Sequence, residues 1–227
     1  MARTTSTLLT VTDAWRRAFP GAVVGALAIR GVRNPDRSDA LEAAKRGLEQ
    51  QLRDGPLDPE GEAVLRAYDD YYRRHGKTYH VKAQLESVAR KGKPIPSRAA
   101  LVEAMFMAEL ATLILTAGHD LDVLEPPLRA DVTADGDRYR LLGGTEAVLS
   151  GGDMMMVDGA GIISSVLRGP DHRTRITPAT TAVLFAVYAP AGVGEDAVRA
   201  HLEQLRANVE LVAPGAETVE AATHAAA

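Results

Sequence analysis

Leu41, Ala44, Leu48 and Leu52 recur at helical spacing behind Ser38, so the pattern predicts a helix from Ser38 to about Arg53, closed by Gly55-Pro56. Asp58-Pro59 opens a second helix that runs to about Arg74 and stops at Gly76. Before these, Thr12–Phe19 reads as a short helix capped by Thr12/Asp13, and the apolar run Ala22–Ile29 suits a buried strand. Val81–Arg90 predicts a further short helix. After the breaker-rich stretch 92–96, Ser97 is the expected N-cap of a long helix reaching Ala117, with Gly118 as its C-cap.

The second half has a different rhythm. Apolar runs at 128–132, 138–142, 146–149, 154–157, 160–167 and 181–189 alternate with turn signals such as Ala134-Asp135-Gly136 and Gly151-Gly152. That spacing predicts a sheet, mostly antiparallel or mixed. A last helix is expected over Gly194–Asn208, then a frayed Ala/Glu-rich tail at 215–227. Helices first and strands later give an α+β class with a mixed sheet and helices packed on it. The turns are too short to be linkers, so 1–214 is expected to form a single domain.

Composition narrows the function classes. The 227 residues are 46% apolar and 25% charged, which excludes disorder throughout. The absence of cysteine removes disulfides, thiolate metal sites and thiol nucleophiles, and fits a cytoplasmic protein. The longest apolar stretch, 101–117, is broken by Glu103, Glu109 and Thr112 and is shorter than the roughly 20 residues of a membrane span. Net charge is −4, yet Arg73, Arg74, Lys77, Lys82, Arg90, Lys91, Lys93 and Arg98 cluster in one segment against Glu86 alone. Such a cluster is either a confined phosphate-contacting patch or a solvated helix face.

Four groups can carry chemistry. Gly118-His119-Asp120-Leu121-Asp122 either delivers an imidazole and two carboxylates to a ligand or makes Asx-type bonds to its own backbone. Arg168 to Arg175 either grips a phosphate or carboxylate or braces a hairpin. Gly159-Ala160-Gly161 permits close backbone approach, but no dinucleotide or nucleotide fingerprint is present and no cofactor is expected. Tyr68, Tyr71, Tyr72 and Tyr79 either stack on unpaired bases or pack with wet tips. Met105-Phe106-Met107 and Met154-Met155-Met156 read as core. No second set of ligands lies at metal-binding spacing, so no metal is expected.

LVEAMFMAELATLILTAGHDLDVL at 101–124, the sheet at 128–149 and GDMMMVDGAGIISSVLRGPDHRTRITPATTAVLFAVYAP at 152–190 carry a resemblance. Over 72–209 the chain resembles the editing module, domains B three and four, of the phenylalanyl-tRNA synthetase β chain, especially free-standing versions of it. The resemblance implies an α/β core with a pocket near 118–122, 159–165 and 168–174. It also implies hydrolysis of an aminoacyl ester at the acceptor end of a mischarged tRNA. In such a site His119 or Asp120 would orient water or hold the amino group, and the amides of Gly159–Gly161 would receive the oxyanion. Met105, Gly118, Asp122, Ser164 and Phe185 would surround the substrate, and the basic segment with Arg168 and Arg173 would meet acceptor-stem phosphates.

The chain departs from the synthetase pattern at three polar readers. The expected Thr-Asn pair falls on Met105-Phe106, the expected histidine on Ala117 or Gly118, and the expected glutamate on Phe185. A less polar side chain than tyrosine is therefore expected in the pocket. The leading reading is a trans-editing deacylase. The alternative is a non-catalytic module that kept the fold and binds tRNA or a small metabolite.

Overall fold

The computed structural model describes residues 8–55 and 57–226. In chain order the elements are β1 (Leu9–Val11), α1 (Asp13–Ala18), β2 (Val23–Arg30), α2 (Asp39–Asp54), α3 (Pro59–Arg74), α4 (His80–Ala89) and α5 (Ala100–Thr112). There follow β3 (Thr116–Asp120), β4 (Leu128–Val132), β5 (Arg138–Arg140), β6 (Glu146–Val148), β7 (Met154–Asp158) and β8 (Gly161–Ser165). The chain ends with β9 (Gly169–Pro170), β10 (Ala182–Ala189), α6 (Glu195–Val212) and β11 (Glu217–Ala225). The α+β class and the mixed sheet are as expected.

Two sheets organise the chain. One has the order β11-β2-β10-β3 and is antiparallel throughout; the other has the order β1-β4-β7-β8-β9, with β1 and β4 parallel and its other pairs antiparallel. β10 is buried along its whole length and β2 along all but Arg30. Each buried Leu, Ile or Phe there contributes about 1.5–3 kcal/mol. Helix α6 lies so close on β2 that a Cβ on Gly25 would sit 2.9 Å from Val198 Cγ1. Glycine is what permits that approach.

The caps of the first helices are as the sequence reads. Thr12 Oγ1 accepts from Trp15 N–H, Ser38 Oγ from Leu41 N–H and Asp58 Oδ1 from Gly61 N–H. Three expectations fail.

Ser97 does not cap the long helix. Leu101 N–H donates instead to Asn34 Oδ1, brought in from far upstream, while Ser97 Oγ is held by Glu42 and Lys45.

The long helix stops at Thr112 rather than Ala117, and Gly118 lies inside β3. Leu113 takes a left-handed conformation with φ of 63°. Its carbonyl accepts from Tyr79 Oη, Leu115 N–H donates to Tyr68 Oη, and Thr116 N–H donates to Glu109 Oε1. These buried side chains take the backbone groups that further helix would need.

The C-terminal segment is not frayed. Residues 217–225 form β11, hydrogen-bonded along the free edge of β2.

Candidate functional site

β3 sets Gly118 opposite Phe185 and His119 opposite Leu184 on the central strand β10. His119 is fully buried. Its Nδ1 lies 2.7 Å from Thr174 Oγ1 and its Nε2 3.3 Å from Ser164 Oγ. Thr174 Oγ1 donates to Asp171, and Ser164 Oγ pairs with Tyr188 Oη. Because Asp171 takes the Thr174 proton, Thr174 oxygen accepts from Nδ1–H, which leaves Nε2 to accept from Ser164. Burial pushes the imidazole down to about 3 and keeps it neutral. The order of groups resembles a hydroxyl–imidazole–acid relay, but Ser164, His119 and Thr174 have no solvent exposure.

Asp120 follows the backbone-bonded reading, whereas the Asp122 carboxylate, among the described residues, meets side chains only. Asp120 Oδ2 accepts from Thr180 Oγ1 at 2.7 Å and Oδ1 from Asp122 N–H at 3.1 Å. Asp122 pairs with the exposed Arg30. The glycine turn is equally occupied. Gly159 N–H donates to Glu125 O, and Ala160 and Gly161 N–H both donate to Asp158 Oδ1. All three amides expected to receive an oxyanion therefore have partners already. Burial opposes charge on Asp158, but bonds from Arg173 and from Glu125 and Ala160 N–H outweigh it and hold the carboxyl below its ordinary range. Arg173 also donates to Val123 O. It braces the turn instead of facing a phosphate.

Three of the positions expected to face a substrate, Met105, Gly118 and Phe185, are packed against one another. A Cβ on Gly118 would meet Ile176 Cδ1 at 2.7 Å, Met105 Sδ at 3.2 Å and Phe185 Cε1 at 3.6 Å. The space between α5 and β10 is thus filled by the chain's own side chains. Met105 and Phe106 also line a separate cleft against α4 and residues 93–98.

The four tyrosines are core. Tyr68 stacks on Tyr79 with centroids 4.3 Å apart. The hydroxyls of Tyr68, Tyr71 and Tyr72 reach Tyr188 O, Asp153 Oδ1 and Val166 O respectively. None is free to stack on a base.

The cations divide differently. Among the described residues, Arg73 pairs with Asp70 and Lys82 with Asp69, whereas Arg74, Lys77, Arg90, Lys91, Lys93 and Arg98 have no carboxylate within 4.0 Å. Lys77 Nζ donates to Leu167 O at 2.7 Å, which sets it beside Arg168, also without a carboxylate partner. Burial and then the neighbouring Arg168 charge lower the Lys77 ammonium pKa. The fold therefore joins two basic segments that lie 90 positions apart.

Some functional-looking groups have no simple sequence signal. Lys45 is fully buried between Glu42, Glu103 and Ser97, and bonds from Lys45 and Ser97 hold the Glu42 carboxyl down to about 2. Only the Glu42–Lys45 spacing of three hints at this. His201 is buried between Thr112 and Thr116, each 2.6 Å away, with its pKa pushed down to about 3 by burial. Among the described residues, no cluster of three or more His, Asp or Glu is placed to hold a metal, and no helix is long and apolar enough to cross a membrane.

No family model matches the chain, and no curated protein does. A solved structure does. The chain is similar to an N-terminal fragment of the phenylalanyl-tRNA synthetase β-subunit from Pyrococcus horikoshii, with a TM-score of 0.54 and 12% sequence identity. The fold is that of the synthetase fragment. The match covers 94% of this chain and 50% of the fragment, so the chain spans about half the length of that fragment. At this identity the likeness concerns fold alone.

Proposed function

We propose that the protein binds tRNA without hydrolysing an aminoacyl ester at His119. The observation that carries the binding half is the convergence of Lys77 and Arg168, cations without carboxylate partners that meet across two segments. They continue into Arg74 on one side of the sequence and Arg90, Lys91 and Lys93 on the other. Cations without carboxylate partners can displace the counterions of a phosphate backbone, which is the main source of such affinity. The likeness to a synthetase of tRNA supports the choice of that nucleic acid. The non-catalytic half is supported by the buried His119–Ser164 pair, the occupied amides of Gly159–Gly161, and the packing of Met105, Ile176 and Phe185 around Gly118.

Incubation with a panel of mischarged tRNAs, followed by both retention and release of the labelled amino acid, tests the two halves together. The expected result is saturable retention of the tRNA with release no faster than in buffer. Absence of saturable retention overturns the binding half. Catalysed release that disappears in His119→Ala overturns the other.

A further inference from the structure

The turn that follows α3 is fixed, because Lys77 N–H donates to Tyr72 O at 2.9 Å and Gly76 takes a φ of 65°. The facing segment is fixed as well. Tyr72 Oη donates to Val166 O at 2.9 Å, Leu167 N–H donates to Asp153 Oδ2 at 3.0 Å, and Val166 N–H donates to Met154 O at 3.0 Å. Between these two segments Lys77 Nζ donates to Leu167 O, one residue before Arg168. An amine and a guanidinium are thus held side by side at the surface, with Lys77 half-buried and Arg168 exposed.

The other lysines are placed differently. Lys45 is fully buried between Glu42 and Glu103, Lys82 pairs with Asp69, and Lys91 and Lys93 are exposed. A cation beside a lysine favours the neutral amine, which is the nucleophile. At Lys77, burial and then the Arg168 charge lower the ammonium pKa, against the opposing pull of Asp153. The bond to Leu167 O occupies one N–H, so the neutral amine keeps its lone pair for an electrophile.

We infer that Lys77 is an acylation site whose donor is an acyl phosphate, held through its phosphate by Arg168. A guanidinium grips phosphate in a fixed, bidentate geometry, which sets the acyl carbon against Nζ. The Nζ lone pair forms the new C–N bond and the acyl C–O bond breaks. Inorganic phosphate leaves with that electron pair and takes the proton that Nζ loses, while Arg168 stabilises the charge developing on the departing oxygen. A thioester has no phosphate at its leaving atom and gains nothing from Arg168. The product is a neutral amide, so one cation disappears from the surface proposed to bind tRNA. That consequence rests on the tRNA reading, and the reaction itself does not.

The full chain, without RNA, is incubated with acetyl phosphate or with p-nitrophenyl acetate, a donor lacking phosphate, and peptide mass spectrometry follows each lysine. Lys77 is expected to react with acetyl phosphate several-fold faster than Lys91 or Lys93. Arg168→Gln is expected to slow Lys77 about tenfold with acetyl phosphate, the size of a lost charge-assisted bond, and clearly less with the ester. Arg168→Lys, which keeps a cation there, is expected to recover part of the rate. Lys77 reacting no faster than Lys91 and Lys93, or an equal loss with both donors in Arg168→Gln, overturns the inference. Protein acetylated at Lys77 is then titrated with tRNA, where weaker binding and a log–log salt slope shallower by about 1 are expected. Selective acetylation with unchanged tRNA affinity upholds the acylation site and overturns its bearing on tRNA, so the two fail separately.

Discussion

The guanidinium of Arg173 donates to both carboxylate oxygens of Asp158, each at 2.7 Å. Asp158 is fully buried at its side chain, while Arg173 remains about one-third exposed. The pair closes the loop 169–175 onto the Gly159 turn, with Asp158 also taking the amides of Glu125, Ala160 and Gly161. An arginine that reads as a phosphate ligand from the sequence is thus committed to holding the turn.

Arg173→Ala is therefore expected to act on stability. Removing one partner of a buried pair leaves the other charge uncompensated, at 3–5 kcal/mol for full burial, and partial solvation of Arg173 reduces this to about 2 kcal/mol. Urea unfolding checks the magnitude. The tRNA affinity of the folded variant is expected to match the wild type, and a large loss would return Arg173 to the binding surface.

Gly118→Ala tests whether the space between α5 and β10 is closed. The added methyl falls 2.7 Å from Ile176 Cδ1 and 3.2 Å from Met105 Sδ, and overpacking of this kind costs about 1–2 kcal/mol. Ile176→Val in the same chain removes the offending carbon and is expected to restore most of the loss. If thermal unfolding shows Gly118→Ala as stable as the wild type, the space is open and the packing account fails.

The buried titratable groups give two opposed pH windows. His119 and His201 have folded values near 3 against an ordinary 6.5, both because burial disfavours the imidazolium. The unfolded chain binds their protons more readily, so their contribution is present above 6.5 and is lost as pH falls toward 3. Glu109 is the reverse. Burial raises it from 4.5 to about 8, so its contribution is full below 4.5 and declines as pH rises through 8. Unfolding measured across pH is expected to show stability falling on the acid side through the histidines. Between 6.5 and 8 it is expected to fall again through Glu109. Glu109→Gln keeps the acceptor for Thr116 N–H and is expected to abolish that second decline. A decline of the same size in the variant would assign it to another group.

Much of the fold was legible where local signals and burial agree. Ser38, Asp58-Pro59 and the 3.6-residue spacing set α2 and α3, because cap and apolar stripe point the same way. The stretch 101–117 was not divisible by pattern, since an apolar run offers no periodicity to separate buried helix from buried strand. Its division depends on Tyr68 and Tyr79 reaching Leu115 N–H and Leu113 O from α3 and the turn after it. Similarly β11 looks like an Ala-rich tail until β2, nearly two hundred positions upstream, supplies its ladder. For the candidate site, residue types were legible and their engagement was not. His119, Asp120 and the Gly159 turn carry the right chemistry, but three of the partners that occupy them, Thr174, Thr180 and the Glu125 carbonyl, come from other turns, and Asp158 alone is local to the turn it caps. The Lys77–Arg168 approach is likewise a product of tertiary packing.

The dependence of tRNA affinity on salt, measured for the wild type and for the double variant Lys77→Gln/Arg168→Gln, bears most directly on the binding claim. The wild type is expected to lose affinity steeply as salt rises, and the double variant to bind more weakly with a log–log slope shallower by about 2, one unit per phosphate contact removed. A wild-type affinity indifferent to salt, or a slope that the double variant leaves unchanged, would contradict the account.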